Sequence, residues 1–224
     1  MLRRLATLLL LSLAACSSVK ETARKVDWKA PPPGLPGYET RGGDQSEPRL
    51  EALQAPYEPP PAELARAQTL TNRAAAQRKS GDYAGAIESL QEAVTLREAA
   101  LGPDAPAVAS TLTSLAGVYV AADDNAAAEP LLRRALAIRE QAHGADDPRT
   151  ALSRNNLALL LAADGENAEA ELLYLQAIAV LQDDQSEDLA TVLDNYAALL
   201  ADTGRMKEAA ATEERAAAIR AGTP

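Results

Sequence analysis

The sequence predicts an all-α protein made of consecutive helical hairpins, and three observations carry that expectation. Of its 224 residues 47% are hydrophobic but only 3% aromatic, with no Phe, so the apolar content is mostly Ala and Leu, both strong helix formers. From about residue 62 onward the chain repeats itself, with Gly81, Asp123, Gly165 and Gly204 standing 42, 42 and 39 residues apart. The same offsets relate Ala74, Ala116, Ala158 and Ala197, then Ala86, Ala128, Ala170 and Ala209, then Ala93, Ala135, Ala177 and Ala216. Three columns of Ala point to close helix crossings, since a methyl lets two axes approach to the short end of the usual ~8–10 Å range. Finally, the segments between these columns carry helix stops and starts in the same register.

The chain opens with a targeting segment. Arg3 and Arg4 form a positive start, Leu5 to Leu13 an apolar run, and small residues follow, which reads as a signal peptide over residues 1–15. The run is too short to span a bilayer as a helix. Leu13-Ala14-Ala15-Cys16 resembles the lipobox of bacterial lipoproteins, which implies cleavage before Cys16 and acylation of its thiol and new amino terminus. Several acyl chains, at about 0.8 kcal/mol per buried methylene, make a lasting anchor. Within that resemblance Ser17 implies export to the outer membrane, facing the periplasm. The alternative is an ordinary secretory signal with a Cys near the cut.

Residues 16–61 hold most of the prolines, including Pro31-Pro32-Pro33 and Pro59-Pro60-Pro61, and no sustained apolar period. Such a segment buries too little surface to offset its ordering entropy and reads as a lipid-anchored, disordered, flexible linker. Drawn straight it would reach about 150 Å, and as a coil on the order of 40 Å. Lys20, Arg24, Lys25 and Lys29 offer a weak attraction to anionic headgroups, with a plainly solvated linker as the alternative. Trp28 is either a short partner-binding anchor or incidental.

Residues 62–224 divide into four hairpins, at about 64–105, 106–147, 148–186 and 187–220. Gly81, Gly165 and Gly204 stand where each first helix must stop, Gly being at ease in the left-handed conformation beyond a helix end. Gly102-Pro103-Asp104-Ala105-Pro106 and Gly144-Ala145-Asp146-Asp147-Pro148 join a stop to a start, with Asp as cap and Pro in the first turn. The third junction is three residues shorter, and Ser186-Glu187-Asp188 supplies its cap and acidic first turn.

The residues Leu115-Ala116 and Leu157-Ala158 in first helices, Ala128-Glu129 and Ala170-Glu171 opening second helices, Ala135-Leu136-Ala137-Ile138, and Asn155-Asn156-Leu157-Ala158 together resemble tetratricopeptide repeats. The type is the 42-residue one of kinesin light chains and many bacterial proteins, and it covers about residues 64–220. The resemblance implies a right-handed superhelical solenoid whose first helices line a concave groove. Arg73, Gln77 and Glu213 depart from the pattern at the two ends of the array, where a polar cap is needed for solubility.

The resemblance also implies that the positions two, three and six before the first-helix Ala, and one, four and five after it, face the groove. The candidate peptide-binding residues are therefore Gln68, Thr71, Asn72, Arg78 and Lys79, then Ser110, Thr113 and Ser114. Asn155 and Asn156 follow in the third repeat, and Thr191, Asp194, Asn195 and Asp202 in the fourth. The column Asn72, Ser114, Asn156, Asn195 offers amide donors and acceptors for the backbone of an extended peptide. Arg78 and Lys79 would make one end basic and Asp194 and Asp202 the other acidic, orienting a peptide of mixed charge. The alternatives are a solvated polar face and self-association into a homo-oligomer.

Charge and composition exclude other classes. The formal net charge is -10, and residues 62–224 alone hold 14 basic and 25 acidic side chains, which argues against nucleic acid as a partner. One Cys and one His, His143 in an inter-repeat loop, make neither a conventional zinc site nor a His-based catalytic triad. The acidic pairs Asp123-Asp124, Asp146-Asp147 and Asp183-Asp184 lack the spacing of an EF-hand loop, so no metal, cofactor or enzymatic activity is expected. What remains is a protein or peptide partner, with the membrane reached through the N-terminal lipid. The role is either an envelope scaffold or adaptor, or a permanent subunit of a pilus, secretion or outer-membrane assembly machine.

Overall fold

The computed structural model describes residues 62–183 and 186–222, which form eight α-helices and no strand. In chain order these are α1 (Ala62–Ser80), α2 (Tyr83–Leu101), α3 (Pro106–Ala121), α4 (Asn125–His143), α5 (Pro148–Ala163), α6 (Asn167–Leu181), α7 (Glu187–Asp202) and α8 (Met206–Ala221). The signal peptide, Cys16 and the Pro-rich segment lie outside the described residues.

The helices pack as four consecutive hairpins, α1 with α2 through α7 with α8, and each second helix then packs on the first helix of the next hairpin. The result is a solenoid. All twelve residues of the three Ala columns are buried, none exposing more than 3% of its surface. Between them Leu90, Leu132 and Tyr174 fill one second-helix column and are buried, whereas Glu213 in the same column of α8 is exposed. Among the described residues no further hairpin packs over that position, and it is exposed.

The two kinds of helix differ in depth. The first helices α3, α5 and α7 bury nine, ten and nine of their 16 residues, while α2, α4 and α6 bury four, four and five. First helices are thus the inner layer. The ends are thinner, α1 burying three residues and α8 two. The largest core cluster runs from Ala116 on α3 to Ala216 on α8, whereas α1 contributes only Ala67, Leu70 and Ala74 to small satellite clusters.

Local chemistry sets the boundaries. Asp82, Asp124, Asp147 and Ser186 each accept a hydrogen bond from a backbone N–H in the first turn they precede, at 3.0, 3.1, 2.8 and 3.3 Å. The start of α3 differs from expectation: Ala105, not Asp104, holds the cap position, without a side-chain bond, and Pro106 opens the helix. Proline's missing N–H removes one of the groups a cap would have served, so the start tolerates the lapse. In the second repeat Asp123 takes the place of the stop glycine at φ 65°, against 82° to 85° at Gly81, Gly165 and Gly204. It is the only non-glycine at positive φ among the described residues.

Candidate functional site

The groove candidates lie on the inner helices, and the structure sorts them by what their polar atoms already do. Gln68 and Asn72 are exposed on α1, one turn apart, with Gln68 Nε2 donating to Asn72 Oδ1 at 3.1 Å. The Asn72 amide N–H groups and one Gln68 lone pair remain available. Arg78 is half-buried and Lys79 exposed at the end of the same helix. On α3, Ser110 is exposed, Ser114 half-buried and Thr113 buried. The three hydroxyls donate to the carbonyls of Pro106, Ser110 and Ala109, four residues back. Thr71 and Thr191 do likewise, to Ala67 and Glu187. A hydroxyl held this way keeps lone pairs to accept from a ligand.

The asparagines separate into two groups. Asn156 is half-buried on α5, facing the inner surface beside Gly117. Asn155 and Asn195 are buried, with 2% and 3% of their surfaces exposed, and Asn195 Nδ2 donates to Asn155 Oδ1 at 2.9 Å across the boundary between α5 and α7. Their amides bond to each other within the core, so of the column Asn72, Ser114, Asn156, Asn195 the first three keep exposed surface and the last does not. Asp194 is half-buried and accepts from Arg220 Nη2 at 2.7 Å, while Asp202 is exposed at the end of α7.

Between α3 and α5 the inner surface has a shallow depression lined by Thr113, Ala116, Gly117, Val120, Asn156 and Leu160, with Leu132 of α4 also lining it. Gly117 is central to it. A mid-helix Gly costs about 1 kcal/mol relative to Ala, and the missing Cβ opens the wall of the depression where Ala75, Leu159 and Ala198 stand in the other repeats.

Arg97 of α2 and Arg139 of α4 reach from second helices across to first helices. Arg97 of α2 donates Nη2 to Gln68 Oε1 of α1 at 3.1 Å and Nη1 to the Thr111 hydroxyl of α3. Arg139 of α4 bridges the next gap, donating Nη1 to Ser153 of α5 at 2.6 Å and to Thr113 of α3 at 3.3 Å. Their spacing of 42 residues was the signal that could have found them. Burial holds the Arg97 guanidinium below its ordinary value.

The outer layer is held by ion pairs between neighbouring repeats. Arg134 pairs with Glu98 at 2.6 Å, Arg133 with Glu169 at 2.7 Å, and Arg205 with Glu171 at 2.5 Å. Glu140 pairs with the buried Arg154 at 2.9 Å, and His143 ends α4 half-buried. Among the described residues no helix is long and apolar enough to cross a membrane.

Known structures share this arrangement. BtubC (BKLC) from P. vanneervenii is 22% identical, with 77% of this chain and 69% of that one covered at a TM-score of 0.64. A kinesin light chain with nearly identical TPR-like repeats from Podosopora anserina is 23% identical, covering 78% of this chain and 82% of that one at a TM-score of 0.60, and a point variant of it reaches 0.62. At such identities the likeness is one of fold. No curated protein matches the sequence. A family model for the tetratricopeptide repeat matches residues 65–141 and 113–183, together more than half of the chain. Repeats of this family generally act as non-catalytic scaffolds for protein–protein interaction. With its Ala columns buried at the hairpin crossings and its first helices forming the inner layer, the chain belongs to the tetratricopeptide repeat family.

Proposed function

We propose that the chain is a membrane-anchored scaffold or adaptor of the bacterial cell envelope that holds an extended peptide segment along its inner helices. The observation that carries the reading is Asn156, half-buried at the depression beside Gly117, together with the exposed Asn72 and the half-buried Ser114 at the same position of the two preceding first helices. Amides beside small residues supply backbone-directed donors and acceptors with room for a chain to approach. The test is to replace Asn72 and Asn156 by Ala and measure binding of partners recovered by pull-down. A loss of about tenfold or more is expected for groove ligands, and unchanged affinity for every partner would sink the assignment.

The anchor rests on Arg3, Arg4, the Leu5 to Leu13 run and the Leu13-Ala14-Ala15-Cys16 string. Metabolic labelling with a palmitate analogue tests it. The full chain should carry label and fractionate with outer membranes, and Cys16→Ala should lose both properties. Label retained by the variant would overturn lipidation at that residue.

A second reading, a self-associated permanent subunit of an assembly machine, is favoured by Leu172 and Leu175 on the outer helix α6, 56% and 47% exposed one turn apart. Light scattering during size-exclusion chromatography separates the two. A scaffold with a free groove elutes as a monomer, and a permanent subunit does not.

A further inference from the structure

Two features of the second helices lie outside the groove reading, and the first is a ridge. On α6, Ala168, Leu172, Leu175 and Ala179 are all exposed and stand four, three and four residues apart, which aligns them along one face of the helix. At the repeat offsets α2 carries Ala84, Glu88, Gln91 and Thr95 on that face. There α4 carries Ala126, Pro130, Arg133 and Ala137, and α8 carries Lys207, Ala211, Glu214 and Ala218. Only the third repeat sets two leucines side by side at these positions, with no charge between them.

The second feature is a furrow. Between α2 and α4, over α3, the surface opens into a furrow of about 340 Å³. Val94 of α2 and Leu131 of α4 line it half-buried, and Leu112 and Leu115 of α3 line it from the core. The next junction, between α4 and α6, is built differently at the matching positions. Arg133 replaces Gln91 and reaches Glu169, which replaces Ala127, at 2.7 Å. Arg154 replaces Leu112 and bonds to Glu140 at 2.9 Å. The first junction has none of these charges, and its one bridge of that kind, Arg134 with Glu98 at 2.6 Å, lies toward the Glu98 end. The apolar walls between Gln91 and Glu98 are left uncovered. Seven residues separate Gln91 from Glu98, and seven separate Leu172 from Ala179, so furrow and ridge each run about 10 Å along their helices.

We propose that the α6 ridge of one molecule seats in the α2–α4 furrow of a second copy, joining molecules head to tail. The inference rests on the self-association reading above and names the two surfaces it uses. Within one chain α6 is held against α4 through Arg133 and Glu169, one repeat beyond the furrow, so the ridge has to come from another molecule. Charge favours unlike patches over a symmetric contact. Residues 144–224, which carry the ridge, hold 6 basic and 15 acidic side chains, whereas residues 62–143, which carry the furrow, hold 8 and 10. Ridge against ridge would set two strongly acidic halves together, and ridge against furrow avoids that repulsion. A contact between unlike patches leaves one furrow and one ridge free on every assembly, so copies add without a fixed number unless a ring closes.

The test crosslinks the full chain in cells. Thr95→Cys marks the furrow and Gln176→Cys marks the flank of the ridge, both at exposed positions. A short bis-maleimide joins cysteines that lie close together, and the parent chain, with Cys16 as its one cysteine, is the blank. The chain with both substitutions should give a ladder of dimer, trimer and higher bands on a denaturing gel. Each single variant should match the blank, and the two single variants expressed together should stop at dimer. Leu172→Glu with Leu175→Glu should weaken the ladder at least tenfold. So should Gln91→Arg with Ala127→Glu, which copies the Arg133–Glu169 bridge into the first junction and keeps the test open if the ridge variant does not fold. A ladder that survives either pair would overturn the contact. A dimer from Gln176→Cys alone would mean a symmetric contact through α6, overturning the head-to-tail geometry and leaving self-association standing. Bands no stronger than the blank, with only monomer in light scattering, would remove both.

Discussion

Asn195 on α7 donates its side-chain amide to Asn155 on α5 at 2.9 Å, with both residues buried among the leucines of the two helices. The pair joins the last two repeats beside the junction that is three residues shorter than the others. Truncating Asn195 to Ala leaves the Asn155 carbonyl without its donor in a dry site, and should cost about 1–3 kcal/mol in urea unfolding. Asn156→Ala, one residue away but half-buried, should cost less than about 1 kcal/mol and act on binding instead. Equal losses at the two positions would mean that the buried pair contributes nothing beyond ordinary packing.

Tyr174 is fully buried, its ring centre 6.0 Å from that of Tyr196, and its hydroxyl has no hydrogen-bond partner. Burial pushes the phenol far above its ordinary value. Tyr174→Phe removes an unsatisfied polar atom while keeping the ring, so stability should rise by up to about 1–2 kcal/mol. A denaturation midpoint that drops in the variant would show that the hydroxyl has a partner in solution.

Asp123 occupies the left-handed conformation that its counterparts fill with glycine. A side chain there carries a steric cost that Asp tolerates better than most residues. Asp123→Gly should stabilise the array by about 0.5–1 kcal/mol, net of the greater freedom Gly gives the unfolded chain. Thermal unfolding measures it, and a destabilised variant would contradict the strain.

Several carboxyls are held below the usual range by arginines: Glu171 by Arg205 and then Tyr196, Glu169 by Arg133, and Asp147 by Arg149. A carboxyl with a depressed folded pKa contributes stability that is complete above its unfolded pKa, about 4, and lost as pH falls through the lower folded value. The melting temperature should therefore be level from neutral pH to about 5 and fall below it. Glu171→Gln should flatten that acid limb, since one linked proton is gone. Parallel curves for variant and parent would show that Glu171 does not participate.

The solenoid was legible in the sequence because its signals are local and repeated. Each Ala of the three columns is buried, and Ser186 and Asp147 cap as their neighbours imply. What escaped depends on a single step of helix rotation or on a long side chain. The offset of 39 residues aligns Asn195 with Asn156, yet its partner is Asn155, the preceding residue and about 100° away around α5. Arg139 and Arg220 stand near the ends of their helices, but a guanidinium on its flexible stem reaches a neighbouring helix, Ser153 in one case and Asp194 in the other. Groove facing was inferred from position alone, and position does not reveal which amides the core has already claimed.

The unequal core gives the array a mechanical polarity. Apolar packing is thickest among α3 to α8, and α1 adds only three buried residues. A tensile load applied at Ala62 therefore enters through a helix with a thin apolar face, before it reaches the leucine-packed inner helices behind it. Arg97 sits at that seam, bonded to Gln68 on one side and Thr111 on the other. Those two bonds act as a rivet between α1, α2 and α3, and force on the N-terminal end would load them first.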